Sequence, residues 1–261
     1  MYSVGVGIIT CDRVPFYKKC IDSVLDLDRC VTVTVNDGKP FKNMSPRYRL
    51  EKYIHNKKNI GVGRSKNKAL RYLIDSGCEH IFLLEDDVYI HDKQTLEKYI
   101  HAAEVTGIKH LNFCLHGEDN KLNGKPAPKL IVDYKDVQIA LYHNIYGALS
   151  YYHSSVLEDV GLMDKEYYNA MEHVDHTMQI IQAGYHPPFR WFADIANSHE
   201  LIHEQDRGHS ESKIRDDEEW KSRFMDGIRR FHDKFDINVC NPREITATKE
   251  GVVEFLKSVK P

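Results

Sequence analysis

The chain has 261 residues, 41% of them hydrophobic and 29% charged, with a formal net charge of −3. That balance supports a packed core and excludes a disordered or fibrous chain, as does the lack of a repeat, a Gly-X-Y period or a low-complexity tract. Apolar runs such as Ile81–Leu84 fall far short of the roughly 18 residues of a membrane span, and Met1–Thr10 lacks the basic leader of a signal peptide.

Val4–Thr10 reads as a buried strand ending in a polar turn, and Phe16–Leu27 places Cys20, Ile21, Val24 and Leu25 at helical spacing. Val31–Val35 alternates Val with Thr, β-branched throughout, and stops at Asn36-Asp37-Gly38, a strand followed by a turn. Ser65–Ser76 reads as a helix stopped by Gly77, with Ala69, Leu70, Leu73 and Ile74 on one face, and Ile81–Leu84 as a short strand running into Glu85-Asp86-Asp87. Leu96, Tyr99, Ile100 and Ala103 mark a further helix closed by Gly107. Strands are expected at His110–Leu115, Leu130–Tyr134, Val137–Tyr142 and Gly147–Tyr152, the middle two forming a hairpin. Ser155 and Glu158 have the spacing of a capping box, Val174–Ala183 reads as a helix, and Trp220, Phe224, Ile228, Phe231 and Phe235 form an aromatic stripe read as core packing.

Strands alternating with helices over the first third predict an α/β fold with a mostly parallel central sheet. Ligands of such sheets sit beyond the carboxyl ends of the strands. Thr10–Arg13, Asn36–Gly38 and Glu85–Asp87 each follow a strand directly, so one polar edge is expected to gather all three. No linker divides the chain. It is read as one domain with a first half at 1–90, a second half at 91–205 and a helical C-terminal extension at 206–261.

The six cysteines, at 11, 20, 30, 78, 114 and 240, include no C-x-x-C pair, which argues against a zinc ribbon or a thioredoxin-type site. Free thiols beside apolar segments point to a reducing, cytoplasmic setting. Lys39–Tyr72 holds seven Lys and four Arg against the one acid Glu51, a local +10 that leaves −13 elsewhere. Such a segment fits a polyanionic ligand, a diphosphate or a nucleic acid, or else a solvated helix face.

Three adjacent carboxylates after a buried strand repel one another unless a cation sits among them. Glu85-Asp86-Asp87 therefore reads as a candidate site for Mg²⁺ or Mn²⁺, which take a carboxylate or two together with substrate phosphates. The competing reading is an acidic loop capping the next segment. Asn59-Ile60-Gly61-Val62-Gly63 precedes a helix, where glycine lets backbone amides approach phosphate, but no Walker spacing follows. Gly5-Val6-Gly7 lies inside the first strand and lacks the third glycine of a dinucleotide fingerprint.

Taken in order, Thr10-Cys11-Asp12-Arg13, Asn36-Asp37-Gly38-Lys39, Asn59-Ile60-Gly61, Ser65-Lys66-Asn67 and Glu85-Asp86-Asp87 resemble the motifs of an inverting, family 2-like glycosyltransferase of the GT-A fold, over roughly residues 4–200. The resemblance implies a small antiparallel sheet on the acceptor side and a nucleoside-diphosphate sugar, UDP-linked, as donor. It implies that Thr10, Asp12, Arg13 and Asp37 edge the base, that Gly61, Lys66 and Asn67 approach the diphosphate, and that Glu85 or Asp86 faces the ribose. Asp87 would hold the metal, with His199 as a further ligand and His203 next in line. Where the family has Glu-Asp-x-Asp/Glu, this chain has Glu172-His173-Val174-Asp175, so Glu172, His173 and Asp175 are all candidates for the base. A histidine at the base position is chemically competent near neutral pH.

The expected reaction is metal-dependent transfer of a sugar to the hydroxyl of a glycan or small sugar. The basic segment, interleaved with Phe41, Tyr48, Tyr53 and Tyr72, keeps a second acceptor open: DNA carrying hydroxymethylated bases, as in phage-type sugar transferases. A sugar nucleotidyltransferase and a non-catalytic nucleotide-sugar-binding module are the other classes.

Overall fold

The computed structural model describes residues 3–27, 30–41, 52–205, 214–215, 218–241, 243 and 246–259. The middle of the basic segment, residues 42–51 with Tyr48, lies outside the described residues. In chain order the elements are β1 (Val4–Thr10), α1 (Val14–Leu25), β2 (Cys30–Asn36), β3 (Lys52–His55), α2 (Val62–Asp75), β4 (His80–Glu85), β5 (Val88–Ile90), α3 (Thr95–Thr106), β6 (His110–Asn112), β7 (Lys121–Leu122), β8 (Lys125–Pro126), β9 (Leu130–Tyr134), β10 (Val137–Tyr142), β11 (Leu149–His153), α4 (Ser154–Val160), α5 (Glu172–Gln182), β12 (Phe192–Ile195), α6 (Ser198–Leu201), β13 (Ile202–Glu204), α7 (Trp220–Phe235) and α8 (Lys249–Ser258).

The central sheet has the order β3-β2-β1-β4-β11-β6. Its first four strands are parallel, and β11 is antiparallel to both of its neighbours. Strands β9, β10 and β12 form an antiparallel sheet, and β5 pairs with β13. Among the described residues no helix is long and apolar enough to cross a membrane.

Alternating side chains give the sheet two apolar faces. Val6, Ile8, Phe82 and Leu84 pack with α1, α3 and β10, whereas Ile9, Val33, Leu83 and Ile81 pack with α2 and α4. The two β1 glycines serve this second face. A Cβ on Gly5 would lie 2.8 Å from Leu73, and one on Gly7 would lie 2.8 Å from Ala69. The Gly-Val-Gly run is thus a close-packing device that seats α2 against the sheet.

Register then assembles the edge. Thr10 lies opposite Asn36, and Ile9 opposite Glu85, so the segments after β1, β2 and β4 leave the sheet side by side. Strands β6 and β4 are both antiparallel to β11, so the segment after β6 emerges at the same edge.

Two local expectations are corrected. His153, not Ser155, caps α4, its ring accepting from the Ser155 N–H. Strand β6 stops at Asn112 because the Cys114 N–H turns to the buried Asp194 carboxylate (3.0 Å). Phe113 still donates its N–H to the Leu149 carbonyl of β11 (3.0 Å), and Phe113 and Leu115 both stay buried.

Candidate active site

A cavity of about 770 Å³ opens along the carboxyl edge. Thr10, Asp12, Arg13, Asp37, Glu85, Asp86, Asp87, Glu172 and His173 line it, whereas Gly61, Lys66, Asn67, Asp175 and His199 do not.

The acidic turn divides into different environments. Asp86 is fully buried, accepts from the Thr10 hydroxyl (2.6 Å) and pairs with Arg13. Burial pushes its carboxyl up while Arg13 pulls it down. Asp87, one residue on, has Arg13 at 3.5 Å and the His116 Nε2 at 3.8 Å from Oδ2, yet its Oδ1 is buried with no hydrogen-bond partner among the described residues. The turn is pinned from behind by Gln205, whose N–H donates to the Asp87 carbonyl (2.7 Å) and whose side chain donates to the Asp86 carbonyl (2.8 Å).

His116 sits in the segment after β6, between Asp87 and Glu204 (3.2 Å from Nδ1). Burial alone would depress its pKa; Asp87 and Glu204 reverse that and raise it. Burial likewise works against Glu204 ionisation, but His116, Lys121 and the Gly117 N–H together hold its carboxyl at about 2. His116 is not among the residues expected from sequence, although the rule that singles out Thr10, Asp37 and Asp87 applies to it: it follows a strand of the same direction.

On the nucleotide side, Asp12 adopts φ 56° and accepts from the Lys39 N–H (2.7 Å). A Cβ on Gly38 would strike Asp12 at 2.5 Å, which accounts for the glycine. Asp37 is largely committed to structure. It accepts from Asn56 (2.8 Å), Ile60 N–H (2.9 Å) and Gly61 N–H (3.0 Å), clamping the loop that precedes α2. Burial raises its pKa against those hydrogen bonds. Gly61 takes φ 92°, and a Cβ there would lie 2.2 Å from the Tyr168 carbonyl oxygen. Asn67 reaches away from the cavity, exchanging hydrogen bonds with the Met163 backbone (2.8 and 3.0 Å).

Lys66 is buried in an acidic cage: Glu85 at 2.6 Å, Glu172 at 3.1 Å and the Gly147 carbonyl at 3.2 Å. Burial opposes its charge, but Glu85 and Glu172 outweigh that and hold the ammonium pKa well above the usual lysine range. Glu172 opens α5 and is itself buried; burial works to raise its pKa, and Lys66 and His173 bring it well below the usual carboxylate range. His173 Nδ1 lies 3.3 Å from Glu172 Oε1. Asp175, by contrast, faces away, bonded by Tyr167 (3.1 Å), Gln179 (2.6 Å) and Lys234 (2.8 Å).

His199 is exposed on α6, and His203 stacks on His91 with ring centroids 4.1 Å apart. The aromatic stripe divides: Phe231 is fully buried, whereas Trp220 and Phe224 line the cavity. Their helical spacing of four was legible; which end of the stripe meets solvent was not.

This fold is shared with solved structures of glycosyltransferases. GalNAc-T7, solved with UDP, GalNAc and Mn²⁺, superposes with a TM-score of 0.57 at 9% identity, over 89% of this chain and 48% of that one. S. aureus TarS 1-349 gives 0.56 at 14% identity, over 98% and 70%. The Pyrobaculum calidifontis mannosyltransferase PcManGT, with GDP-Man and Mn²⁺, gives 0.51 at 15%, over 71% and 54%. The chain has the GT-A fold. This GT-A chain spans about half of GalNAc-T7 and of the mannosyltransferase. No protein-family model and no curated protein sequence matches it.

The cavity residues fit a divalent cation. Asp87 supplies an orphaned carboxylate oxygen and His116 an imidazole nitrogen beside it. Among the described residues no group of three or more His, Cys, Asp or Glu could hold a metal; a cation on Asp87 and His116 would take its other ligands from substrate phosphates and water.

Proposed function

We propose that this GT-A chain transfers a sugar from a UDP-sugar to an acceptor hydroxyl by single displacement with inversion, using a divalent cation at Asp87 and His116. The observation that carries the reading is the unpartnered Asp87 Oδ1, a buried acceptor at the strand edge where the fold receives a diphosphate. A carboxylate–imidazole pair favours Mn²⁺ over Mg²⁺, which prefers oxygen alone. When bound, the cation supplies charge neutralisation for the departing diphosphate.

The chain's own residues supply the rest. Thr10 and Arg13 hold Asp86 so that the turn presents Asp87 outward. The cavity edge formed by Asp12, Asp37 and Asn59 takes the base. His173 accepts the proton of the acceptor hydroxyl. Of the three candidates at 172–175, it alone lines the cavity with a partly exposed side chain: Glu172 is buried on Lys66, and Asp175 is bound to Lys234. Release of UDP from a panel of UDP-hexoses and their N-acetyl forms tests the reading. Turnover that needs Mn²⁺ and falls at least about 100-fold in Asp87→Ala is expected; pyrophosphate as the product, or full turnover under chelation, would reject it.

A polyanionic acceptor is the second reading. Lys57 and Lys58 are exposed immediately before Asn59, at the cavity edge. Duplex DNA binding that weakens steeply with salt would favour it; turnover on free sugars unaffected by salt would exclude it.

A further inference from the structure

We propose that Glu172 is a positioning residue. Held ionised by the buried Lys66, it keeps the His173 proton on Nδ1, so that Nε2 is the nitrogen that takes the proton of the acceptor hydroxyl. The inference rests on the glycosyl-transfer reading and moves Lys66 from the diphosphate, where the family resemblance put it, to the base.

Lys66 has three ammonium hydrogens and three acceptors around it: Glu85 at 2.6 Å, Glu172 at 3.1 Å and the Gly147 carbonyl at 3.2 Å. It lies outside the cavity lining, so reaching a phosphate would require breaking this cage. Glu172 in turn is 1% exposed, with Oε1 shared between Lys66 and His173. An ionised carboxylate can only accept, so the imidazole nitrogen facing it carries the hydrogen and the other keeps its lone pair. Gly147 shows how tightly the group is assembled. A Cβ there would lie 2.6 Å from Lys66 Nζ, 3.0 Å from Glu85 Oε1 and 3.2 Å from His173 Nδ1, so the three side chains converge over a bare α-carbon.

Charge explains why such a cluster is useful. Lys66 from α2 faces Glu85 from β4 and Glu172 from α5, one ammonium against two carboxylates. The group, with Glu85 20% exposed at the cavity wall, is one positive charge short, and an imidazolium at His173 supplies it. In the transfer step the acceptor oxygen bonds to the anomeric carbon and its proton passes to His173 Nε2. The bond from that carbon to the diphosphate oxygen breaks, its electron pair leaving on the diphosphate. The charge that develops on the ring thus arises where an unpaired negative charge is already fixed.

The test compares Glu172→Gln with the charge-balanced double variant Lys66→Met/Glu172→Gln, reading UDP release from the best-turned-over UDP-hexose in Mn²⁺. Loss of kcat of about 10- to 100-fold is expected in both, with the KM for donor and the UDP-induced rise in Tm unchanged. Glu172→Asp should recover part of the rate. A purely structural ion pair would lower Tm without this split between kcat and KM. Should the single variant fail to fold, the double variant decides: it removes both members of the Lys66–Glu172 pair, and the Glu85 carboxylate it leaves behind is 20% exposed at the cavity wall. Wild-type kcat in a folded double variant, or full activity in His173→Gln, overturns the proposal. Failure of the wild-type protein to bind UDP with Mn²⁺ would instead strike the glycosyl-transfer reading itself.

Discussion

Asp86 accepts from Thr10 and Arg13 at the floor of the strand edge, whereas Asp87, the next residue, keeps Oδ1 unpartnered. Both carboxylates are buried, so a missing partner is costly at either position, about 1–3 kcal/mol for an unsatisfied group. That cost persists at Asp87 unless a cation meets it. Asp87→Asn is therefore expected to lose metal-dependent turnover by at least about 100-fold while melting within a few degrees of wild type; calorimetry beside the turnover assay checks both halves. A second contrast separates two histidines. His116→Ala should weaken Mn²⁺ stimulation severalfold, and His199→Ala should leave it unchanged, because His116 lies 3.8 Å from Asp87 while His199 is exposed on α6. A Mn²⁺ titration of the two variants reads the difference. Asp86 and Asp87 could be told apart from Glu85 in sequence only by their order after the strand. The pairing of Lys66 with two carboxylates could not be foreseen, because those partners come from residues 19 and 106 positions away.

The elements are arranged so that α5 presents His173 while its next turn anchors it. Asp175 binds Lys234 of α7 at 2.8 Å, and Gly227 of the same helix lets Met171 approach: a Cβ there would lie 3.2 Å from its side chain. Lys234→Met should cost about 1.5 kcal/mol, the low end for a charged hydrogen bond because the lysine also reaches solvent. That corresponds to a Tm lower by about 3–6 °C in a chain of this size, with kcat preserved. A fall in kcat at unchanged Tm would instead place Asp175 in the chemistry. Gly147→Ala should behave in the opposite way. Its new methyl would intrude on Lys66, Glu85 and His173 together, so turnover should drop at least about tenfold, even in protein folded well enough to bind UDP. Periodicity and turn residues carried the parallel strands β1, β2 and β4, α3 with its left-handed Gly107 cap, and the β9–β10 pair. They missed β3, β5 and β13, which are four, three and three residues long and too short to show a period.

At the scale of the whole molecule, three buried histidines tie stability to pH. His110 Nδ1 donates to the Tyr151 carbonyl, and its Nε2 accepts from Thr177. His186 likewise donates to the Pro187 carbonyl and accepts from the Ala193 N–H, and His176 donates to the Gly161 carbonyl. The accepting nitrogen of His110 and of His186 requires a neutral ring, and burial works against charge on His176. Burial depresses all three pKa values, to about 4 for His176 and His186. An unfolded histidine takes up its proton near pH 6.5, so the unfolded state gains protons that the folded state refuses between about 6.5 and 4. Stability should therefore fall as pH drops through that window, by up to about 1.4 kcal/mol per pH unit for each histidine, and be flat with respect to these groups above it. Denaturant melts at pH 7 and pH 5 check the sign. The overall fold was legible because hydrophobic alternation and strand order are written locally. The cavity was legible only in outline, since its walls are built by register between distant strands.

The strand edge is proposed to form one cation-assisted pocket for a nucleoside diphosphate. The most direct measurement is the thermal shift produced by UDP in the presence of Mn²⁺, repeated with a chelator and in Asp87→Asn. At a hundred times the dissociation constant a ligand adds about 2.7 kcal/mol, which predicts a Tm rise of about 5–10 °C with metal and nearly none without it or in the variant. An equal rise with chelator, or none with Mn²⁺, would contradict the account.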